Sequence, residues 1–154
     1  MYYDCNCASR SSPPSHLLML QVITTKGDAI GAKEQLSRSM QSLSRHKHIE
    51  VISKYAMAEF EYGSPDRGRV VFEELLSNYP KRSDLWNLYV DKEIKQGFSS
   101  QARQLFERMT GSKQNVRTMK SIFKKFLEFE ILHGSEASQE AVKEKAREYV
   151  NSIA

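Results

Sequence analysis

The sequence predicts an all-α protein, an α-solenoid built from antiparallel helix pairs. Three stretches carry a large apolar residue, an aromatic residue three places later and a glutamate four places after that, at offsets of 34 and 37 residues. A glycine follows each glutamate by four positions. A period near 34 residues made of two helical patterns is typical of helix-pair repeats, in which each unit buries its apolar stripe against its neighbours. The repeated positions are Ile52, Tyr55, Glu59 and Gly63; Trp86, Tyr89, Glu93 and Gly97; Phe123, Phe126, Glu130 and Gly134.

The second helices of two units match at a single offset, which supports the same period. The aligned pairs are Gly68 with Ala102, Arg69 with Arg103, Phe72 with Phe106 and Glu73 with Glu107. Antiparallel helices need small residues where their backbones approach and large residues where the gap is wide. We therefore expect Phe72, Phe106 and Trp86 to belong to the core.

The first 48 residues carry the repeated pattern poorly. Residues 1–15 are predicted to form a disordered tail, since they include a serine cluster with two prolines. Residues 16–48 are predicted to form a degenerate helix pair: a short helix to about Lys26, a break at Gly27 and Asp28, and a second apolar pattern from Ile30 to Leu43.

Residues 49–154 are predicted to be the repeat domain, and its first unit spans about 49–80. Gly63 is expected to end the first helix in a left-handed conformation. A helix start is expected at Pro65, after the capping hydroxyl of Ser64. Its apolar face is predicted to include Val70 and Leu75, and Pro80 is expected to stop it.

Two further units, about 83–112 and 114–154, repeat this organisation. Ser99 and Ser100 open the second helix of one unit, and Gly134 with Ser135 separates the helices of the other. The last unit lacks the arginine and phenylalanine of the second helix, as expected at the end of a solenoid where one face meets water.

The recurring glutamates have two interpretations. The spacing favours ion pairs between these carboxylates and Arg69 or Arg103 on the partner helices, with Glu93 and Arg103 as the pair to test by charge reversal. Catalysis by paired acids is the alternative. It is disfavoured because the acids occupy equivalent places in separate repeats.

The composition argues against several classes of protein: membrane-spanning, exported and metal-binding proteins and enzymes. The chain has 154 residues, 40% hydrophobic and 27% charged, with a net charge of +4, which suits one domain with mixed-charge helix surfaces. No apolar run approaches the ~20 residues of a membrane span, and no export signal is expected at the start. Cys5 and Cys7 are too few for a zinc site, and His46 with His48 lacks further ligands. We expect no enzyme activity, metal, cofactor or small-molecule substrate.

A cluster of basic residues is a candidate RNA contact. Arg117, Lys120 and Lys124 recur at helical spacing, with Lys113 and Lys125 nearby. A solvated helix face is the plainer interpretation, since Glu128 and Glu130 interrupt the positive charge.

At the repeated aromatic, glutamate and arginine positions, the chain resembles the half-a-tetratricopeptide (HAT) repeat family. The first helix of that repeat carries tryptophan, tyrosine and glutamate in this order. Within residues 50–150, the amino-acid sequence is similar to the C-terminal repeat region of the large S1-repeat rRNA biogenesis family. The similar segments read YPKRSDLW at 79–86, ARQLFER at 102–108 and FKKFLEFE at 123–130. Ile52 departs from the family's tryptophan, and no S1-like run of short strands appears in the sequence given.

The resemblance implies a non-catalytic scaffold for pre-rRNA processing and small-subunit precursor assembly, in the nucleus and nucleolus. The implied partners are other ribosome-assembly proteins and pre-rRNA, and some HAT proteins form homodimers through their repeats. Direct RNA binding and a general tetratricopeptide-like peptide adaptor are the alternatives.

Overall fold

The computed structural model describes residues 27–112 and 114–153, and every regular element within them is an α-helix. The all-α prediction is confirmed, with helices packed in adjacent pairs as in a repeat solenoid. The tail at 1–15, the helix from His16 to Lys26 and the candidate residue Lys113 lie outside the described residues. The helices are α1 (Ala29–Ser42), α2 (Arg45–Tyr62), α3 (Pro65–Asn78), α4 (Ser83–Lys95), α5 (Ser99–Gly111), α6 (Val116–His133) and α7 (Glu136–Ile153).

The chain forms two compact units, one up to Leu75 and one from Leu76 onwards. In the first, α1 begins after Asp28, whose carboxylate accepts a hydrogen bond from the Gly31 N–H at 2.9 Å. Ala32 on α1 and Val51 and Tyr55 on α2 form a buried cluster. Helix α1 starts directly after Gly27 and Asp28, where the second apolar pattern was predicted to follow a break.

Helices α2 and α3 approach closely at Gly68. A Cβ atom on Gly68 would lie 2.5 Å from the Phe60 ring and 3.0 Å from the Ala56 carbonyl oxygen. The Phe60 and Phe72 rings meet at 6.0 Å, and Phe72 is fully buried. The predicted start of α3 at Pro65 is confirmed, and the absent Cβ of Gly68 allows the two helices to pack.

Two apolar positions differ from the predicted core. Val70 and Ile30 are 68% and 76% exposed. The buried residues on α3 include Gly68 and Phe72, one helical turn apart. Val70 lies midway between them in sequence, so its side chain is about 200° around the helix from that of Phe72. The same two-residue offset separates Ile30 from buried Ala32.

In the second unit, α4 packs on α5, α5 on α6 and α6 on α7. Phe106 on α5 stacks on Phe126 of α6, with ring centroids 4.9 Å apart, and also contacts Phe129 at 5.4 Å. Trp86 is buried, and its indole N–H donates to the Pro80 carbonyl at 3.0 Å. Aromatic rings therefore fill the space between consecutive helices.

No helix in the described part of the chain combines the length and apolar character that crossing a membrane requires.

Candidate functional site

Helices α4 and α6, the first helices of two successive repeats, lie side by side in the second unit. The Lys125 ammonium on α6 contacts the Asp91 carboxylate at 3.0 Å and the Asn87 side-chain oxygen at 3.3 Å, both on α4. Ahead of α6, the Gln114 amide donates to the Pro80 carbonyl at 3.3 Å. These contacts fix α4 and α6 next to each other.

A buried carboxylate sets the position of α6 against both of its neighbours. The Glu130 side chain is 1% exposed and accepts two bonds from the Arg103 guanidinium on α5, at 2.6 and 3.0 Å. The Ser138 hydroxyl on α7 donates to the same carboxylate at 2.7 Å. We call Arg103, Glu130, Gly134 and Ser138 the carboxylate joint, because it links three helices through one side chain.

Gly134 leaves the space that the carboxylate needs. A Cβ atom there would lie 1.9 Å from a Glu130 carboxylate oxygen and 2.8 Å from the Glu130 backbone oxygen. Gly63 stands in the same relation to Glu59, at 2.1 Å. The predicted left-handed cap at Gly63 is wrong, since its φ is −115°. Gly97 does adopt a positive φ, of 81°, with open space around it.

One ion pair is of the kind that the spacing favoured, since a recurring glutamate, Glu130, bonds to Arg103. Arg103 bonds to Glu130 of the following repeat rather than to Glu93. The Glu59 carboxylate is paired with Arg67 at 2.9 Å, and Arg69 pairs with Asp66 at 2.7 Å. Helical geometry explains this, because a side chain on the second helix reaches the next repeat as readily as its own.

Burial and neighbouring charge shift two pKa values at these carboxylates. Hydrogen bonding from the Arg103 guanidinium is the main influence on Glu130 and lowers the pKa of its carboxyl group, against the opposing effect of burial. Burial, with a smaller contribution from the Glu59 carboxylate, raises the pKa of Tyr55 to about 12. Both groups therefore keep one protonation state at neutral pH.

The lowered pKa of Glu130 predicts loss of stability in acid. A folded-state pKa below the unfolded value adds stability that is present above the unfolded pKa and disappears as pH falls through the folded pKa. Between pH 7 and pH 3, Glu130→Gln should remove about 1–2 kcal/mol of the pH-dependent free energy of unfolding. We place the figure low because Arg103 is 40% exposed and partly hydrated.

Urea unfolding followed by circular dichroism at several pH values measures this effect. Glu148→Gln is the matched control, because Glu148 is exposed and has no ion pair within the described chain. An unchanged pH profile in Glu130→Gln would contradict the predicted role of the carboxylate.

The remaining repeat positions lie mostly in the interior. Phe123 is half-buried and packs on Tyr149 at 5.8 Å, and Arg69 is partly exposed. The buried members are Tyr55, Glu59, Phe72, Trp86, Tyr89, Glu93, Phe106, Phe126 and Glu130.

A polar groove lies between the first half of α4 and the first half of α6. It has a volume of about 190 Å³ and no carboxylate in its lining. We call it the donor groove. Its lining residues are Ser83, Asn87, Arg117, Thr118, Ser121 and Ile122.

The structure separates the candidate RNA residues into two groups. Arg117, Lys120 and Lys124 are exposed on α6, although the Lys124 ammonium lies 4.0 Å from Glu128. Lys125 faces α4 and is bound to Asp91 and Asn87, so it holds two helices together. Arg117 also lines the donor groove.

Sequence reasoning missed the groove's uncharged members. Ser83 and Asn87 lie on α4 and Thr118 and Ser121 on α6, and no pattern marks them within either helix alone. Their one common signal is position, since each lies within the first six residues of a first helix. No group of three His, Cys, Asp or Glu side chains in the described ranges is arranged to hold a metal ion.

Comparisons with known proteins connect the chain to one set of relatives. No family model matches it. It is 48% identical over 117 residues to "rRNA biogenesis protein RRP5" of Arabidopsis thaliana, covering 76% of this chain and 6% of the relative. It is 46% identical over 116 residues to "rRNA biogenesis protein rrp5" of Schizosaccharomyces pombe, covering 75% of this chain and 7% of the relative.

A mammalian relative gives the same result. The chain is 39% identical over 127 residues to "Protein RRP5 homolog" of Homo sapiens, covering 82% of this chain and 7% of the relative. The chain spans between 6% and 8% of the length of the curated relatives it matches.

Proposed function

We propose that this chain is a non-catalytic scaffold in ribosome biogenesis. It supports pre-rRNA processing and assembly of the small-subunit precursor through contacts with other ribosome-assembly proteins, in the nucleus and nucleolus. The observation that carries this proposal is 48% identity over 117 residues to a relative named for rRNA biogenesis.

The chemistry of the buried acids supports a scaffold. Two of the recurring glutamates, which the sequence left open as catalytic acids, each form an ion pair with an arginine. Glu59 pairs with Arg67, and Glu130 pairs with Arg103. Hydrogen bonding from Arg103 lowers the pKa of Glu130, and both of its oxygens accept bonds, so this carboxylate serves helix packing and is poorly placed to accept a proton from a substrate. The polar face of α4 and α6 remains available for contact with other molecules.

Affinity capture tests the scaffold. The tagged chain is incubated with nuclear extract, with and without ribonuclease, and the bound proteins are identified. We expect small-subunit assembly proteins to be recovered in both samples, since protein contacts do not depend on RNA. The tag alone is the control, and recovery that disappears with ribonuclease would contradict a protein scaffold.

Exposed Arg117, Lys120 and Lys124 favour a second function, direct binding of pre-rRNA. If all three contact phosphates of a single strand, the logarithm of the affinity should fall with the logarithm of salt concentration with a slope of about −2. Filter binding of a pre-rRNA fragment to the purified chain at several NaCl concentrations measures this slope. A slope near zero would exclude phosphate contact as the basis of binding.

A further inference from the structure

We propose that the donor groove binds an acidic segment of a partner protein, with an aspartate or glutamate side chain inserted between α4 and α6. This inference rests on the proposed scaffold function and specifies the chemistry of the partner.

Hydrogen-bond donors line the groove and have no partners of their own. The hydroxyl groups of Ser83, Thr118 and Ser121 form no hydrogen bond within the part of the chain that the structure describes. The Asn87 side-chain oxygen accepts from Lys125, which leaves the amide N–H groups of Asn87 as donors. With the Arg117 guanidinium, these groups complement a carboxylate, which accepts at both oxygens.

The local charge is also unbalanced in favour of an anion. Across residues 27–112 and 114–153, no carboxylate lies within ion-pair distance of Arg117 or Lys120. The two exposed acids of α4 are already bound, Asp84 by Arg82 at 2.6 Å and Asp91 by Lys125 at 3.0 Å, and its third acid, Glu93, is buried. Arg117 in the groove lining and Lys120, three residues further along α6, therefore have no counter-charge in the described chain, and an acidic partner supplies it.

Size and lining favour a peptide over RNA. A volume of about 190 Å³ is below the roughly 300–1,000 Å³ of pockets that enclose whole ligands, and it suits a single side chain better than a nucleotide. Single-stranded RNA is usually bound by exposed aromatic rings on which bases stack. None of the six lining residues is aromatic, and Phe126 of α6 is buried against Phe106.

Fluorescence anisotropy with defined probes tests the proposal on the complete chain. The probe is a fluorescein-labelled peptide of ten residues with alternating glutamate and glycine. Its matched control has glutamine in place of every glutamate. We expect the glutamate peptide to bind at least about tenfold more tightly, which is the scale of one charge-assisted hydrogen bond.

Substitutions test whether the peptide binds in the donor groove. Arg117→Glu reverses the one charge in the lining, and Asn87→Asp keeps the acceptor for Lys125 while replacing amide donors with a carboxylate. Each should weaken binding of the glutamate peptide about tenfold or more. Lys95→Glu makes the same charge change as Arg117→Glu at an exposed residue of α4 outside the groove, and should change affinity less than about twofold. Thermal unfolding of each variant separates a lost site from a lost fold.

Four outcomes would overturn the proposal. Equal affinity for the glutamate and glutamine peptides would exclude carboxylate recognition. Equal loss in Lys95→Glu and Arg117→Glu would indicate a diffuse charge effect. Tighter binding of a ten-nucleotide oligouridine, weakened by Arg117→Glu, would assign the groove to RNA. If the peptide fails to bind while the chain still captures assembly proteins from extract, the groove proposal is wrong and the scaffold function stands.

Discussion

Replacing Trp86 with alanine is expected to lower the free energy of unfolding by about 3–5 kcal/mol, as for large aromatic residues removed from protein cores. The Trp86 side chain is 7% exposed, and its indole N–H bonds to the Pro80 carbonyl just before α4. The Arg108 guanidinium of α5 lies over the indole ring at 5.1 Å. Truncation therefore leaves a cavity between α4 and α5 and also releases the segment that precedes α4.

Chemical denaturation followed by circular dichroism measures this loss. Trp86→Phe keeps most of the ring volume and loses the hydrogen bond, so it should be considerably less destabilising than Trp86→Ala. Val70→Ala removes an exposed side chain and should change stability by less than about 0.5 kcal/mol. A Trp86→Ala protein as stable as the parent would show that the indole is not part of the core.

Gly134→Ala is expected to cost roughly 2–4 kcal/mol, because the added methyl group displaces a buried carboxylate from its bonds. The φ of Gly134 is −113°, which other residues adopt readily, so backbone strain contributes little. The cost comes from the 1.9 Å approach to Glu130, whose bonds to Arg103 and Ser138 must shift.

A double-mutant cycle identifies this mechanism. In a Glu130→Ala background the carboxylate is gone, so Gly134→Ala should cost distinctly less than in the parent chain. Gly97→Ala is the matched glycine: it has φ +81° and open space, and should cost about 1–2 kcal/mol through the backbone alone. Additive effects of Glu130→Ala and Gly134→Ala would contradict the steric explanation.

Helix boundaries were largely predictable from the sequence because local chemistry determines them. Pro65 at the start of α3, Ser99 at the start of α5 and Pro80 beyond the end of α3 each act within one or two turns of the chain. The recurring aromatic residues were predictable as core for a similar reason, since a 3.6-residue period places them on one face.

The pairing of side chains between helices was harder to predict from the sequence. The spacing showed that Glu130 and Gly134 recur together, but a glycine four residues after a glutamate is also typical of a left-handed helix cap. Only the packing of three helices shows that the glycine provides space for the carboxylate. For the same reason, the spacing did not show which recurring glutamate pairs with Arg103: Glu93 was the pair chosen for the test, and the bond runs to Glu130.

The donor groove shows a second limit of sequence reasoning. Its hydroxyl and amide groups come from two helices about 34 residues apart, and serine, threonine and asparagine are common on helix surfaces everywhere. Basic residues were easier to find because their charge is rarer and their spacing is regular. Of these, Arg117 lies in the groove and Lys125 is an interhelical contact, a difference that composition does not reveal.

The carboxylate joint has a consequence for how this part of the chain opens. Glu130 accepts hydrogen bonds from an arginine of the preceding helix and from a serine of the following helix. Fraying of either helix therefore leaves a buried charge without one of its partners. Helices α5, α6 and α7 should therefore behave as one foldon, and amide hydrogen exchange should report a common opening free energy across all three.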